Sequence, residues 1–505
     1  MTALVQPLAA NLVRIRPMGI DTYQECVIYM RKDCPVCASE GWNSQVRIQV
    51  ANRGRTVVAT LNVVGPGPLE VDEAGLSDAA WLALAAQEGD VAQLSPSPPL
   101  DSLRHVRAKV YGNRLDIDGF SSIVDDVAAG RYSPIHAAAF VTACAGDRLD
   151  LEETIALTRA MVAVGDRITW PRGPIFDKHC VGGLPGNRTS MLVVPIVAAC
   201  GLIVPKTSSR AITSPAGTAD AMETVAPVIL DLPAMRKVVE REGGCIVWGA
   251  SVRLSPADDI LIRVERSLDL DSEGQLVASV LSKKVAAGST HVLIDMPVGP
   301  TAKVRSVEAA RALSRRLIEV GGAMDLTVQV VESDGTQPVG RGIGPALEAR
   351  DVLAVLRQES DAPVDLRERA LQLAGLLLEL GQAAPKGSGL EKARSVLTSG
   401  GAWRKFLAIC EAQGGFREPP QARYSAPIPA LRSGTVLEID NRRLGRIAKL
   451  AGAPRSPAAG VDFRAPLGRS VEAGQPLFIL HAESPGQLAY ATTYLEAGPP
   501  MVRVG

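Results

Sequence analysis

Asp177-Lys178-His179-Cys180-Val181-Gly182-Gly183, followed further on by Lys206-Thr207-Ser208-Ser209-Arg210, decides the architecture of this chain. Each stretch gathers small, cationic and hydroxyl residues into a turn between apolar runs. A chain builds a phosphate site in this way. Glycine lets backbone N–H groups approach the anion, a helix N-terminus stands behind them, and a lysine or arginine adds charge. Two such turns in one βαβα stretch point to an enzyme that handles a small phosphate-bearing molecule.

The flanking pattern is that of alternating strands and helices. Ile175-Phe176 ends a strand, and Arg188 to Cys200 reads as an apolar helix closed by Gly201. Leu202-Ile203-Val204 is the next strand. A helix follows from Ala219 onward, with Ser214-Pro215 suited to the N-cap and first helical position. Val292-Leu293-Ile294 and Leu326 to Val331 are later strands. Upstream, Ile123, Val127 and Ala128, then Ala137 to Cys144, then Leu151 to Val164 carry helical periodicity. The fold class expected is α/β, with a helical domain and a large mixed domain whose mostly parallel sheet binds ligands at the carboxyl ends of its strands.

Two proline-rich seams bound this region: Leu94 to Pro99, and Arg417 to Ala430. Residues 1–95 contain short β-rich runs such as Val46 to Val50 and Val57 to Val64, and read as a small β-rich domain. Residues 430–505 contain Gly434 to Ile439 and Val471 to Leu480, short strands between glycine turns, and read as a barrel-sandwich-like α+β domain.

Composition narrows the function. Of 505 residues 46% are apolar, mean hydropathy is +0.12, and aromatics are only 4%, so a large, closely packed aliphatic core is available. Lys+Arg and Asp+Glu both number 54, so no global field would recruit nucleic acid or an acidic membrane. No apolar run is long enough to span a bilayer, and Met1 to Arg16 lacks the pattern of a signal peptide, which leads to an expectation of the cytoplasm. Most of the eight cysteines stand alone, unlike a disulfide framework. Cys34-Pro35-Val36-Cys37, near Cys26, has no second pair or histidine nearby to complete a zinc site, so two reduced cysteines in a turn are expected, and no metal.

The run from Asp177 to Glu223 resembles the thymidine/pyrimidine-nucleoside phosphorylase family, and most of all its longer branch, which includes the archaeal AMP phosphorylases and shares Ser209-Arg210-Ala211-Ile212-Thr213-Ser214. The resemblance continues through Leu254 to Asp258, Ala278-Ser279-Val280-Leu281-Ser282-Lys283-Lys284, Gln337 to Arg341 and Ile439 to Arg442. It implies a fold like that of nucleoside phosphorylases and phosphoribosyltransferases, with the site between the helical and α/β domains. The implied organisation is a helical domain of residues 100–165 and 256–285, an α/β phosphate-binding domain of 166–255 and 286–418, and the two terminal domains. It also implies phosphorolysis. Inorganic phosphate, the co-substrate with no further cofactor, attacks C1′ of a nucleoside or nucleotide and releases the base and a sugar 1-phosphate. Thymidine is the expected substrate and a 5′-monophosphate such as AMP the alternative. The expected assembly is a homodimer or higher homo-oligomer.

By resemblance, Lys178, Ser190, Ser208 and Thr218 contact phosphate, and Gly183, beside Gly182, lets the backbone approach the ligand. Ser209, Arg210, Ala211, Ile212, Thr213 and Ser214 form the nucleotide-contacting loop, though Arg210 could equally be an ion-pair partner. His179 is placed near sugar or base. Asp271, eight residues before Ser279, has the spacing of the proton donor and base-binding serine of the AMP phosphorylases, with Asp269 next in line. Ser279 and Lys303 contact base or nucleotide. Three departures matter. Cys180 replaces the usual phosphate-binding serine, and a thiol is a weak donor. Ile262 to Arg266 gives no clean match to the arginine of the thymidine phosphorylase base pocket. Gly299-Pro300-Thr301-Ala302-Lys303 adds a lysine able to meet a 5′-phosphate. Two rival readings are a phosphoribosyltransferase, with Asp220 and Glu223 as magnesium carboxylates, and a non-catalytic protein whose phosphate loops sense nucleotide.

Overall fold

Phe176–Cys180 is the edge strand of a three-stranded parallel sheet, where a single bridge links it to a second, two-stranded parallel sheet. The computed structural model describes residues 11–505 apart from 212, 213, 269 and 271. Ile212, Thr213, Asp269 and Asp271, assigned roles above, therefore lie outside the described residues. Two compact units meet at Ala143 and Cys144.

In the first unit six strands close into a barrel in the order Leu12–Pro17, Glu73–Leu76, Val27–Arg31, Arg55–Val64, Arg47–Asn52, Val91–Pro96. Alternate residues point inward, so Val13 and Ile15, Ile28 and Met30, Ile48 and Val50, and Ala92 and Leu94 fill the core. Arg53 and Gly54, both at positive φ, make the tight turn between two neighbouring strands. Cys34 and Cys37, at the start of the short helix Pro35–Glu40, are buried in the same core. Helices Leu103–Val110 and Ile117–Ala128 follow, and Pro134–Cys144 ends at the boundary.

In the second unit the strands run in the order Thr327–Asp334, His291–Val298, Phe176–Cys180, with Val204–Ser208 and Gly244–Trp248 alongside. Every strand pairing among them is parallel. Between Phe176–Cys180 and Val204–Ser208 only one bridge forms, Ile175 to Ile203, so these strands join at their amino ends and fork toward their carboxyl ends. The helix Ser190–Ala199 is buried from Ser190 to Ala198, which explains its unbroken apolar sequence. It lies against helices Val364–Leu380 and Gly401–Gln413, and Gly201 at φ +88° turns the chain after it.

Helices Leu151–Ala163 and Glu273–Ala286 pack on one another in this unit. The C-terminal region forms two small antiparallel sheets with helices Asn441–Leu450 and Pro485–Glu496. The short strand Gly342–Ile343 from the α/β region forms the edge of the larger sheet. Among the described residues no helix is long and apolar enough to cross a membrane.

Two local expectations change. Lys178, His179 and Cys180 lie on a strand, and the turn begins only at Val181. The helix after the second phosphate stretch begins at Thr218, one residue before the Ala219 expected, but its N-cap is Gly217 rather than Ser214. Asp220 sets that start: its carboxylate accepts from Gly217 N at 2.8 Å and from Ala211 N at 2.6 Å, so a carboxylate inside the helix caps it.

Candidate active site

Successive residues of a strand point to opposite faces, so the strand Phe176–Cys180 presents Lys178 and Cys180 on one side and Asp177 and His179 on the other. Lys178 is fully buried. Its Nζ donates to Thr189 Oγ1 at 2.6 Å and lies 3.6 Å from Asp295 on the neighbouring strand. Asn187 Nδ2 donates to Asp295 Oδ2 at 3.0 Å and approaches Cys180 Sγ at 3.3 Å, while Ser333 Oγ donates to Asp295 Oδ1 at 2.6 Å. Burial would raise the Asp295 carboxyl, but Lys178 and these hydrogen bonds outweigh it and keep it ionised.

The loop after this strand turns through Gly182, Gly183 and Gly186, all at positive φ. A Cβ on Gly183 would stand 2.5 Å from the backbone nitrogen of Lys303, so glycine is what admits Lys303 to this loop. A Cβ on Gly182 would meet no described atom within 4 Å beyond its chain neighbours. Gly183→Ala should therefore cost about 1–2 kcal/mol in backbone conformation and also displace Lys303, lowering kcat/KM about tenfold or more. Gly182→Ala carries the conformational cost without the collision and should lose less. Parallel steady-state kinetics on the two variants check the difference.

Hydrogen bonds gather the remaining phosphate candidates. Ser190 opens its helix one residue after Thr189, the partner of Lys178. Arg188 Nη1 donates to Thr218 Oγ1 at 3.0 Å and pairs with buried Glu348. Ala219 N donates to Ser209 O at 3.3 Å, holding the end of the strand Val204–Ser208 against Thr218. The Ser208 hydroxyl is buried with no partner among the described residues. Such an orphaned donor is costly unless a ligand meets it.

In the nucleotide loop the Arg210 guanidinium is engaged by the protein. It grips Glu223 at 2.5 and 2.9 Å, reaches Asp220 at 3.2 Å, and covers the Trp248 ring at 4.9 Å. This geometry gives Arg210 the ion-pair role, and it commits both carboxylates of the magnesium reading. Ser214 Oγ donates to Ala216 O at 2.8 Å.

On the other face, Asp177 takes Lys206 at 3.0 Å across the strand fork and Lys284 at 2.5 Å from the helix Glu273–Ala286. Burial opposes its ionisation, but the two lysines prevail and hold it below the ordinary carboxylate range. The preceding residue of that helix, Lys283, donates to Asp258 Oδ2 at 2.7 Å and to Ser279 Oγ at 3.2 Å. His179 is held well below the usual histidine range, first by burial and then by Lys284, Lys206, Lys283 and Lys178. It is a neutral imidazole near pH 7, able to donate or accept but carrying no charge.

Lys206, Lys283, Lys284, Asp258, Asp295, Asn187 and Thr189 were not singled out as site residues above. For Asp295 the signal was a polar residue inside a run otherwise wholly apolar, Val292-Leu293-Ile294-Asp295-Met296; the others carry no such signal. Four lysines face three aspartates here, leaving one positive charge unbalanced among these seven residues.

Cys180 is protonated at neutral pH, because burial and then Asp295 push its thiol up to about 11. Cys180→Ser should keep turnover and lower the phosphate KM a few-fold, since a hydroxyl is the stronger donor and Asn187 can serve either. Loss of turnover in a folded variant would give the thiol a role of its own.

Comparison with known proteins fits this geometry. Residues 104–165 match the helical bundle domain of a glycosyl transferase family, 172–403 its a/b domain, and 435–498 the pyrimidine nucleoside phosphorylase C-terminal domain. A protein of Acidovorax sp. (strain JS42) named "Putative thymidine phosphorylase 2" is 65% identical over 496 residues, covering 98% of this chain and 97% of its own. A "Putative thymidine phosphorylase" of Hahella chejuensis is 58% identical over 500 residues, covering 99% of both chains. Among solved structures, anthranilate phosphoribosyltransferase from Thermus thermophilus superposes with a TM-score of 0.50 at 22% identity, over 61% of this chain and 99% of its own, a likeness of fold. With these three domains matched in order and full-length relatives at this identity, the chain belongs to the thymidine/pyrimidine-nucleoside phosphorylase family.

Proposed function

We propose that this protein is a pentosyltransferase of thymidine phosphorylase type, converting thymidine and phosphate to thymine and 2-deoxy-α-D-ribose 1-phosphate. The observation that carries the reading is the buried cluster of four lysines on three aspartates beside the glycine loop, which can hold the positive charge that a phosphate dianion needs. The names of the relatives supply the nucleoside.

In this reading Lys178 and the hydroxyls of Ser190, Ser208 and Thr218 hold phosphate beneath the sugar. A phosphate oxygen forms a bond to C1′ as the C1′–N bond breaks, and the bonding pair leaves with the base. The dianion stabilises the oxocarbenium-like transition state. Lys283 and Ser279, already hydrogen-bonded to each other, meet the charge that develops on the base, with neutral His179 beside the sugar. Excluding water from the closed site makes phosphate the acceptor. Asp220 and Glu223 are spent on Arg210, so activity is expected to survive chelation of divalent metal.

A second reading, phosphorolysis of a 5′-monophosphate to ribose 1,5-bisphosphate, is favoured by the apposition of Lys303 and Gly183, which adds a cationic residue to the loop. Asp271 is the proposed proton donor for a purine. Asp271→Asn should lower kcat far more than it raises KM on a purine, and less on a pyrimidine, whose base can leave as a stabilised anion. Equal pH–rate profiles for wild type and variant would remove Asp271 from this role.

The test is base release from thymidine, uridine and nucleoside 5′-monophosphates, with phosphate present or omitted. Thymidine turned over fastest, and only with phosphate, is the expected result. Preference for a 5′-monophosphate would select the second reading, and activity only on a diphosphate-bearing sugar would refute both.

A further inference from the structure

The pair of lysines on Asp177 raises a question that phosphate binding alone does not answer. Asp177, Lys206 and Lys284 are all buried and come from three separate elements. Each carboxylate oxygen has one ammonium group, at 3.0 Å on Oδ1 and 2.5 Å on Oδ2. Lys178 and Lys283 have their own aspartates, Asp295 and Asp258. The surplus charge of the cluster therefore resides on the Asp177 pair. Burying it is costly, and the cost is relieved either by losing a proton or by admitting an anion.

The further carboxylate at the cluster, Asp259 beside Asp258, faces Lys283 and Arg263, and the other described elements around the Asp177 pair bring no compensating charge to it. From the strand Phe176–Cys180, His179 adds none. From the strand Gly244–Trp248, the Cys245 thiol is pushed upward by burial and by Asp177 and stays protonated. Lys283 precedes Lys284 on its own helix. The packed helix Leu151–Ala163 directs Met161 to Ser282, and its Glu153 is occupied in capping at Asp150. Helix Val307–Gly322, also against Glu273–Ala286, meets it through Arg316 and Glu273.

We propose that above neutral pH Lys284 is largely unprotonated in the free protein and takes up a proton when a phosphate dianion binds beside Lys178, so that phosphate and proton bind together. The inference rests on the phosphate site proposed above. Lys284 and Lys178 both act on His179, which places the two ends of the linkage around one imidazole. Burial, countered by Asp177 and reinforced by Lys206, lowers Lys284 to about 7. A dianion arriving nearby favours the charged form and restores the proton. Lys284 then tunes the pH at which the enzyme holds phosphate, as a positioning residue that touches no substrate.

Isothermal titration of the full chain with inorganic phosphate, repeated near pH 8 in buffers of different ionisation enthalpy, counts the protons exchanged. At that pH phosphate is largely the dianion before it binds. Wild type is expected to take up about half a proton or more per phosphate, with affinity falling up to about tenfold per pH unit on the alkaline side. Lys284→Arg carries a permanent charge. It should bind phosphate with almost no proton uptake and a flattened alkaline limb, and Lys284→Met should also show no uptake. Phosphate binding to wild type without proton uptake would overturn the proposal. So would uptake that persists in Lys284→Arg, which would place the proton elsewhere. Failure of wild type to bind phosphate at all would instead refute the phosphate site itself.

Discussion

Lys178→Met is expected to reduce kcat/KM about ten- to hundred-fold or more, because a charge-assisted contact to a dianion is worth about 1.5–3 kcal/mol and more where water is excluded. Its location adds a second effect. Lys178 is buried 3.6 Å from Asp295, so removing the ammonium leaves an enclosed carboxylate with Asn187 and Ser333 to donate to it and the charge of Arg369 to act on it. Breaking such a pair costs about 3–5 kcal/mol of stability. The sequence suggested a lysine in an open turn, whose loss would spare the fold; the strand position makes it structural as well. Adding Asp295→Asn should restore much of the melting temperature while activity stays lost. Thermal unfolding and phosphorolysis rates measured on the single and double variants separate the two roles. A single variant as stable and active as wild type would remove Lys178 from the site.

Asp177→Ala should have the largest effect on stability. It leaves Lys206 and Lys284 facing one another with no carboxylate between them. The uncompensated charge should cost about 3–5 kcal/mol. The pH dependence gives this variant a signature. Lysines depressed in the folded state bind fewer protons there than in the unfolded chain, so stability rises with pH between the folded value and the free-lysine value of about 10.4. Wild type shares that slope above about 7, where its own Lys284 titrates, so the variant regains stability relative to wild type only as pH rises from its own, lower folded value to about 7, and the difference is flat above that. Denaturant unfolding at several pH values measures it, and a pH-independent difference between the two proteins would contradict the assignment. Adding Lys284→Met should recover stability at all pH values.

Much of the architecture was legible in the sequence because the parallel sheet writes long apolar strands and glycine turns plainly. Val292-Leu293-Ile294, Leu326 to Val331 and the helix closed by Gly201 all read correctly for that reason. Boundaries failed where long-range contacts set them. Lys178, His179 and Cys180 look like turn residues, yet register with the strand His291–Val298 keeps them extended. Ser214-Pro215 is a sound helix start on local grounds, but Asp220 caps the chain later by gathering Ala211 and Gly217.

The site was legible through its glycines and hydroxyls and far less through its charges. Lys283-Lys284 near a helix end looks like solvated surface, and only the packing of that helix against Asp177 and Asp258 reveals two buried pairs. Arg210 shows the converse. A cation in a phosphate-like loop fits ligand contact or an ion pair on local grounds, and the folded chain shows its pairing with Glu223 and Asp220.

The central claim is that phosphate itself attacks the sugar, and phosphorus NMR of the purified protein with thymidine and inorganic phosphate tests it most directly. The account predicts that the phosphate resonance converts into a sugar 1-phosphate ester, one equivalent for each thymine released, and that nothing is released without phosphate. Thymine released with no new ester, or at an equal rate in phosphate-free buffer, would mean that water is the acceptor and would contradict the account.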